Sequence, residues 1–210
     1  MNIAILGTGR VGGALGAGWA NRGHNVVFGS RNPRSEHVLR QIEASGGKIR
    51  AATPREAVKD ADVVVLATPW QAAESAINAA GDLSGKILVD CINPLTEDFR
   101  HLDIGHTTSA AEQIAKWAPG AKVVKAFNSV SAGAMADPWF GDENATMLYC
   151  GDDEDAKAVV RRLAEELGFD AYDAGPLSIA RYLEPFAMLY IKLAIKEGWG
   201  GNCAFKILRR

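Results

Sequence analysis

Apolar and polar positions alternate along this chain in short, regular blocks. Asn2 to Leu6 is a short apolar run, followed by a small-residue helical stretch from Val11 to Asn21 that Gly23 stops. Asn25 to Phe28 is the second apolar run, and a helix is expected near Glu36 to Ala44. Thr53-Pro54-Arg55-Glu56 has a capping threonine, a proline at the first helical position and a glutamate at the third, a helix start. Val63 to Ala67 and Lys86 to Asp90 are apolar on both faces, as expected of central parallel strands. Ser109-Ala110-Ala111-Glu112 predicts a second capping box, opening a helix to Trp117, and Lys122 to Phe127 is the next strand. After the crossing segment Ser129 to Asn144, one more strand-helix-strand unit is expected. It comprises Thr146 to Cys150, a helix from Asp153 to Leu167 closed by Gly168, and Phe169 to Tyr172. Ser178 is expected to cap a long helix to about Glu197, kinked at Pro185. Its apolar residues, from Ile179 and Leu183 through Met188 and Leu189 to Ile195, lie nearly all round it, which predicts burial.

Strands alternating with helices predict an α/β fold, a doubly wound and mostly parallel sheet with a small C-terminal α/β lobe. The expected division is 1–130 for the main domain and 131–210 for the lobe.

Composition sharpens this picture at one point. Glycine numbers 22 in 210 residues, and ten of those lie in the first fifty. Gly7-Thr8-Gly9-Arg10-Val11-Gly12 is a G-x-G-x-x-G placed between a strand and a helix, the setting that makes the motif informative. In that setting Gly7 makes the tight turn, Gly9 lets a pyrophosphate approach the backbone, and Gly12 lets helix pack on strand. The helix N-terminus then offers free N–H groups to phosphate. The expected architecture is therefore Rossmann-type and the expected ligand a dinucleotide.

The end of the second strand selects among dinucleotides. NAD sites place an acid about twenty residues beyond the glycines. Here the chain reads Gly29-Ser30-Arg31-Asn32-Pro33-Arg34. A serine hydroxyl and guanidinium groups bind a 2′-phosphate through charge-assisted hydrogen bonds, where a carboxylate would repel it. Ser30 and Arg31, with Arg34 behind them, are the candidate phosphate ligands, and NADP(H) is the expected cofactor.

A net charge of −2 argues against a nucleic-acid or anionic-membrane partner. No run of eighteen apolar residues is present, and the start lacks a signal-peptide pattern, so a cytoplasmic protein is expected. Cys91, Cys150 and Cys203 are too scattered for a disulfide framework, and His101 and His106 are poorly spaced for a metal, so no metal is expected.

Several separated stretches give the chain a family likeness. They are Ile3 to Gly12, Gly29 to Arg31, Ala67-Thr68-Pro69-Trp70, Asp90-Cys91-Ile92-Asn93-Pro94-Leu95, Lys125-Ala126-Phe127-Asn128, Ala180 to Glu184 and Ala204 to Lys206. On these the chain resembles NADP-dependent oxidoreductases of the coenzyme F420-dependent type. It is also similar to the nucleotide domain of the six-transmembrane metalloreductases, which need a membrane half. The resemblance implies that Thr8, Arg10 and Val11 line the pyrophosphate and that Ala67, Thr68, Pro69 and Trp70 follow the cofactor. It implies that Asn93, Pro94, Ala126, Phe127 and Asn128 lie near the nicotinamide. The residues taken alone admit structural readings as well: Pro69 and Pro94 as strand ends, Trp70 as a core anchor, Asn128 as a turn or cap.

Reduction of a carbonyl or imine generally needs a placed acid, and no Tyr-x-x-x-Lys arrangement is present. Hydride transfer to a deazaflavin (F420) or flavin ring needs chiefly stacking and exclusion of water. No catalytic side chain is therefore assigned. The expected function is NADP(H)-dependent hydride exchange with F420 or a flavin. The competing readings are a small-substrate reductase resembling pyrroline-5-carboxylate reductase or 3-hydroxyacid dehydrogenase, and a non-catalytic NADP(H)-binding redox sensor. Those two reductase and dehydrogenase families normally add a long all-helical dimer domain, and about eighty residues follow Phe127 here. Arg181 and Glu184, three apart on a helix, are expected to form an ion pair, and a homodimer is the expected assembly.

Overall fold

A computed structural model describes residues 1–195 and 197–210. The first half alternates β1 (Asn2–Leu6), α1 (Arg10–Ala20), β2 (Asn25–Gly29), α2 (Glu36–Ala44), β3 (Arg50–Ala52), α3 (Pro54–Lys59) and β4 (Val63–Leu66). It continues with α4 (Ala73–Ala80), β5 (Ile87–Asp90), α5 (Ala110–Trp117) and β6 (Lys122–Lys125). The remainder is α6 (Ala132–Ala136), a small hairpin of β7 (Trp139–Phe140) and β8 (Glu143–Asn144), then β9 (Thr146–Gly151), α7 (Glu154–Leu167), β10 (Asp170–Asp173) and α8 (Ala180–Ile195).

Eight strands form one sheet in the order β10-β9-β6-β5-β4-β1-β2-β3. The stretch from β3 to β6 is parallel throughout and has the doubly wound Rossmann order, with its switch point beside β1. β9 joins β6 antiparallel, and β10 then runs parallel to β9. The C-terminal β9-α7-β10 unit thus extends the sheet of the first half.

Strand β4 shows why this sequence makes a central strand. Its four residues are fully buried: Val63 and Val65 join one core, Val64 and Leu66 the other. Each buried side chain of this size contributes roughly 1.5–3 kcal/mol relative to exposure. One core packs α1 and α7 on the sheet around Trp19, Phe127 and Phe169; the other packs α3, α4 and α5 around Leu66, Leu88 and Ile114. Small residues let α1 approach closely. A Cβ on Gly16 would lie 3.0 Å from the Phe28 ring, and one on Gly18 2.5 Å from Leu167 Cδ2.

The capping box at Thr53 forms completely, with Thr53 Oγ1 accepting from Glu56 N–H and the Glu56 carboxylate accepting from Thr53 N–H. The one at Ser109 forms by half. Ser109 Oγ accepts from Glu112 N–H, but the Glu112 carboxylate is engaged by Arg181 and the Ser109 hydroxyl rather than the Ser109 backbone.

Three expectations for the last helix need correction. Ser178 lies inside a 3-10 turn, Leu177–Ile179, that leads into α8, so it does not cap the helix. Arg181 and Glu184 do not pair with each other: Arg181 faces Glu112 on α5, and Glu184 turns into the sheet toward Lys125. Burial is also one-sided, because Leu183, Ala187 and Met188 pack inward while Tyr182 and Leu189 are exposed. The helix continues through Pro185. Its expected end near Glu197 lies past Ile195, and Lys196 is outside the described residues.

Candidate functional site

The carboxyl ends of β2, β1, β4 and β5 open onto one long cleft, the place where open α/β sheets bind ligands. Its first stretch, about 310 Å³, is lined by Gly7, Thr8, Gly9, Ser30, Arg31, Ala67, Thr68 and Pro69 among others. Gly7 has φ +114°, and a Cβ there would sit 2.4 Å from the Ala67 carbonyl oxygen, so the turn touches the end of β4 directly. A Cβ on Gly12 would fall 1.9 Å from the Gly7 carbonyl oxygen, which fixes the packing of α1 on the turn. At Gly9 the Cβ position is open space. Gly9 is also the N-cap of α1 and supplies no side-chain cap, so the first-turn N–H groups stay free for an anion.

Ser30 and Arg31 stand on the far side of this stretch, and no carboxylate lines it among the described residues. Arg34 and Arg10 are exposed nearby in sequence but outside the lining. His37, at the start of α2, contacts the Thr8 carbonyl oxygen through Nε2 at 2.7 Å, tying the arginine-bearing segment back to the glycine turn. The Thr68 hydroxyl is buried in the wall with no partner among the described residues.

The second stretch, about 510 Å³, shares Ala67, Thr68 and Pro69 and adds Val11, Trp70, Cys91, Ile92, Asn93, Leu95 and Phe99, with Gln71, Thr96 and Glu97 as its polar members. Trp70 stacks on Trp117 with ring centroids 5.2 Å apart and donates from Nε1 to Asp103 at 2.8 Å. It is both a cleft wall and an anchor. Pro94 is buried behind the lining, and its carbonyl oxygen accepts from Asp103 N–H.

Asn93 and Asn128 form a reciprocal pair. Asn93 Nδ2 donates to the Asn128 carbonyl oxygen at 2.7 Å, and Asn128 Nδ2 donates to Asn93 Oδ1 and to the Leu183 carbonyl oxygen, each at 3.0 Å. Two acceptors facing Nδ2 fix the orientation of the Asn128 amide, and its buried Oδ1 has no partner among the described residues. Ala126 and Phe127 lie beneath. Ala126 is fully buried, while the Phe127 backbone is held at φ +64° and its ring packs edge-on against Trp19 and Phe169. The Phe127 side chain is therefore core.

Below the asparagine pair lies a group of buried charges. Lys125, fully buried, donates to Asp90 at 2.8 Å and meets Glu184 at 2.9 Å; it also donates to the Ile92 carbonyl oxygen. Burial opposes the Lys125 charge, but Asp90 and Glu184 outweigh it and the group is pushed up to about 12. Burial raises the Glu184 carboxyl, with Lys125 acting against the rise. Burial likewise pushes the neighbouring Cys91 thiol up, so it is held as the neutral thiol.

Comparison with known proteins gives this cleft a context. Residues 2–94 match the family model described as NADP oxidoreductase, coenzyme F420-dependent. The chain is 34% identical over 212 residues to the F420-dependent NADP reductase of Methanothermobacter marburgensis, covering 94% of each chain. The chain belongs to the F420-dependent NADP oxidoreductase family.

It is also 38% identical over 183 residues to metalloreductase STEAP3 of Rattus norvegicus, covering 87% of this chain and 35% of that protein, so it spans about a third of that relative. A crystal structure from Arthrobacter sp. FB24, named as a candidate F420-dependent NADP-reductase, superposes with a TM-score of 0.91 at 34% identity over the whole of both chains. An imine reductase from Streptomyces aurantiacus shares the fold alone, at 18% identity and a TM-score of 0.66.

The F420-dependent family match takes in the glycine turn, Ser30, Arg31, Thr68 to Trp70 and Asn93. Lys125, Asn128 and Glu184 lie beyond it. A signal for the charges was present: Asp90 and Lys125 end two apolar runs and are paired in register on neighbouring strands. Opposite charges terminating adjacent buried strands are a pattern that sequence inspection can search for.

Proposed function

We propose that this protein is an NADP(H)-dependent oxidoreductase that transfers hydride between the nicotinamide and F420. One observation carries the reading. A single cleft runs from an open glycine turn and an acid-free Ser30–Arg31 wall to an apolar, aromatic-lined end. The residues present fit NADP(H): the space at Gly9 is open, the α1 N-terminus is uncapped, and the Thr68 hydroxyl has no partner among the described residues. Membership of the F420-dependent family supports the same acceptor and favours neither the small-substrate reductase nor the sensor.

In this reading Gly7 to Gly12, with Thr8, Arg10 and Val11, hold the pyrophosphate. Ser30 and Arg31, with Arg34, hold the 2′-phosphate. Ala67, Thr68, Pro69 and Trp70 follow the cofactor along β4. Asn93, Pro94 and the Ala126-Phe127-Asn128 backbone form the nicotinamide end. When bound, NADPH supplies the hydride and the deazaflavin ring delocalises the charge it receives. The chain's contribution is to orient two flat rings and exclude water between them. Val11, Leu95, Trp70 and Phe99 furnish the apolar surface for that.

The same reading makes the protein a cytoplasmic homodimer, with 131–210 closing the acceptor end. Tyr182 and Leu189, exposed on α8, support a second copy there, and no described helix is long and apolar enough to cross a membrane. Light scattering tests the dimer.

Anaerobic mixing of the protein with NADPH and F420 tests the activity. Loss of F420 absorbance together with NADPH oxidation is the expected result. Turnover with FMN but not F420, or tight NADPH binding with no turnover, would overturn it.

A further inference from the structure

Resting on the NADP(H) reading above, we infer that Lys125 is a positioning residue, fixing the nicotinamide end of the cleft through the Ile92 backbone and the Asn93–Asn128 pair. Lys125 has three N–H donors, and its three partners account for all of them: Asp90, Glu184 and the Ile92 carbonyl oxygen. Asp90 Oδ1 accepts from Ile92 N–H at 2.8 Å, so both polar groups of Ile92 are held by one buried ion pair. The next residue is Asn93, whose amide lies on the cleft and bonds Asn128.

The contacts close into a ring. From Asn128 the path runs to the Leu183 carbonyl oxygen, then along the chain to Glu184 and back to Lys125. Glu184 also accepts from the N–H groups of Ala110 and Ala111 at 2.9 and 3.2 Å, fastening the start of α5 to the same point. One ammonium therefore sets the relative placement of the β5 and β6 ends, α5 and α8.

Stability does not explain such a cluster. Buried ionic groups are costly to desolvate, and well-packed apolar residues in their place are often as stable or more so. What they supply is a fixed geometry, here one residue away from the cleft wall. Lys125, Asp90 and Glu184 line neither stretch of the cleft, so their action reaches the nicotinamide end through Ile92 and Asn93.

The test uses the full chain with two substitutions. Lys125→Met removes the ammonium at similar length. A triple variant, Asp90→Asn with Lys125→Met and Glu184→Gln, removes it without leaving unpaired carboxylates, in case the single variant does not fold. Three readouts are taken: affinity for adenosine 2′,5′-bisphosphate, which occupies only the phosphate end; nicotinamide fluorescence of bound NADPH; and kcat with F420.

The expected result is adenosine bisphosphate affinity within about twofold of the original protein, changed nicotinamide fluorescence, and kcat lower by about 100-fold, the scale of a roughly 1 Å misplacement. A folded variant with unaltered fluorescence and kcat overturns the inference. So does equal loss of kcat and adenosine bisphosphate affinity, which marks general unfolding of the site. Failure of both variants to fold also overturns it, making the cluster a folding element. An unsubstituted protein that binds neither NADPH nor the bisphosphate overturns the NADP(H) reading itself, and the inference with it.

Discussion

The two ends of the cleft are built by opposite means. At the phosphate end the parts are backbone and exposed charge: a glycine turn, a helix N-terminus, and Arg31 on a loop with no carboxylate in the lining. At the acceptor end a group of charges is sealed away. Lys125, Asp90 and Glu184 are fully buried, and the cleft above them is lined by the Asn93 amide and mostly apolar side chains, with the exposed Glu97 among them. The difference follows from what each end must do. A phosphate arrives charged and is caught by free donors that keep their hydration until it binds. Hydride transfer needs a dry, fixed surface, so the buried charges beneath it are satisfied by one another and act through geometry.

The largest effect expected at the phosphate end is from Gly12→Ala. Its Cβ would overlap the Gly7 carbonyl oxygen, a backbone atom that cannot move without moving the turn. NADPH affinity should fall about 100-fold or more, with a lower melting temperature. Gly9→Ala sharpens the contrast. Its Cβ meets only open space, so the melting temperature should hold while NADPH affinity falls about tenfold. Fluorescence titration beside thermal unfolding separates the two, and equal melting losses would break the assignment.

Arg31→Ala comes next. It removes charge-assisted bonds to a 2′-phosphate, so NADPH should bind about 10- to 100-fold more weakly while NADH changes little. Equal losses for both nucleotides would remove Arg31 from the phosphate site. The variant should leave the acceptor end untouched, so kcat at saturating NADPH is expected within about twofold of the original.

How much of each end could be read in the sequence follows the same division. The phosphate end is local: Gly7 to Gly12 and Ser30 to Arg34 are short runs beside strands, and the β-strand periods around them place the motif. The acceptor end is assembled across long separations. Asn93 meets Asn128, 35 residues away, and Glu184 caps α5 from 74 residues away. The stretch Ala180 to Glu184 suggested an ion pair between Arg181 and Glu184 because helical spacing permits one. Tertiary packing offered each a better partner, Glu112 on one side and Lys125 on the other. Phe127 belongs to a familiar stretch, yet its ring is core, since a left-handed backbone turns it beneath the sheet end. Strand β3 was not expected, because an exposed arginine and two half-buried alanines at a sheet edge carry no apolar period.

The smallest effect expected is between α8 and α5, where Arg181 grips Glu112 with two hydrogen bonds, 2.6 and 2.9 Å long. Unlike Lys125, this pair is partly open to solvent, which screens it. Arg181→Met should lower the melting temperature by about 2 °C and leave NADPH affinity unchanged. The sign with pH is fixed by Glu112. The Arg181 hydrogen bonds hold its carboxyl below the usual carboxylate range. A carboxyl lowered by folding stabilises the protein above its unfolded pKa and loses that stabilisation as pH falls through the folded value. The melting difference between the original and Arg181→Met should therefore be present near neutral pH and shrink on acidification below about pH 4. Thermal scans across that range check it. A difference that persisted in acid would mean that Arg181 acts by packing its alkyl stem, and the pair would then resemble the sealed Lys125 cluster more than the open Arg31 at the phosphate end.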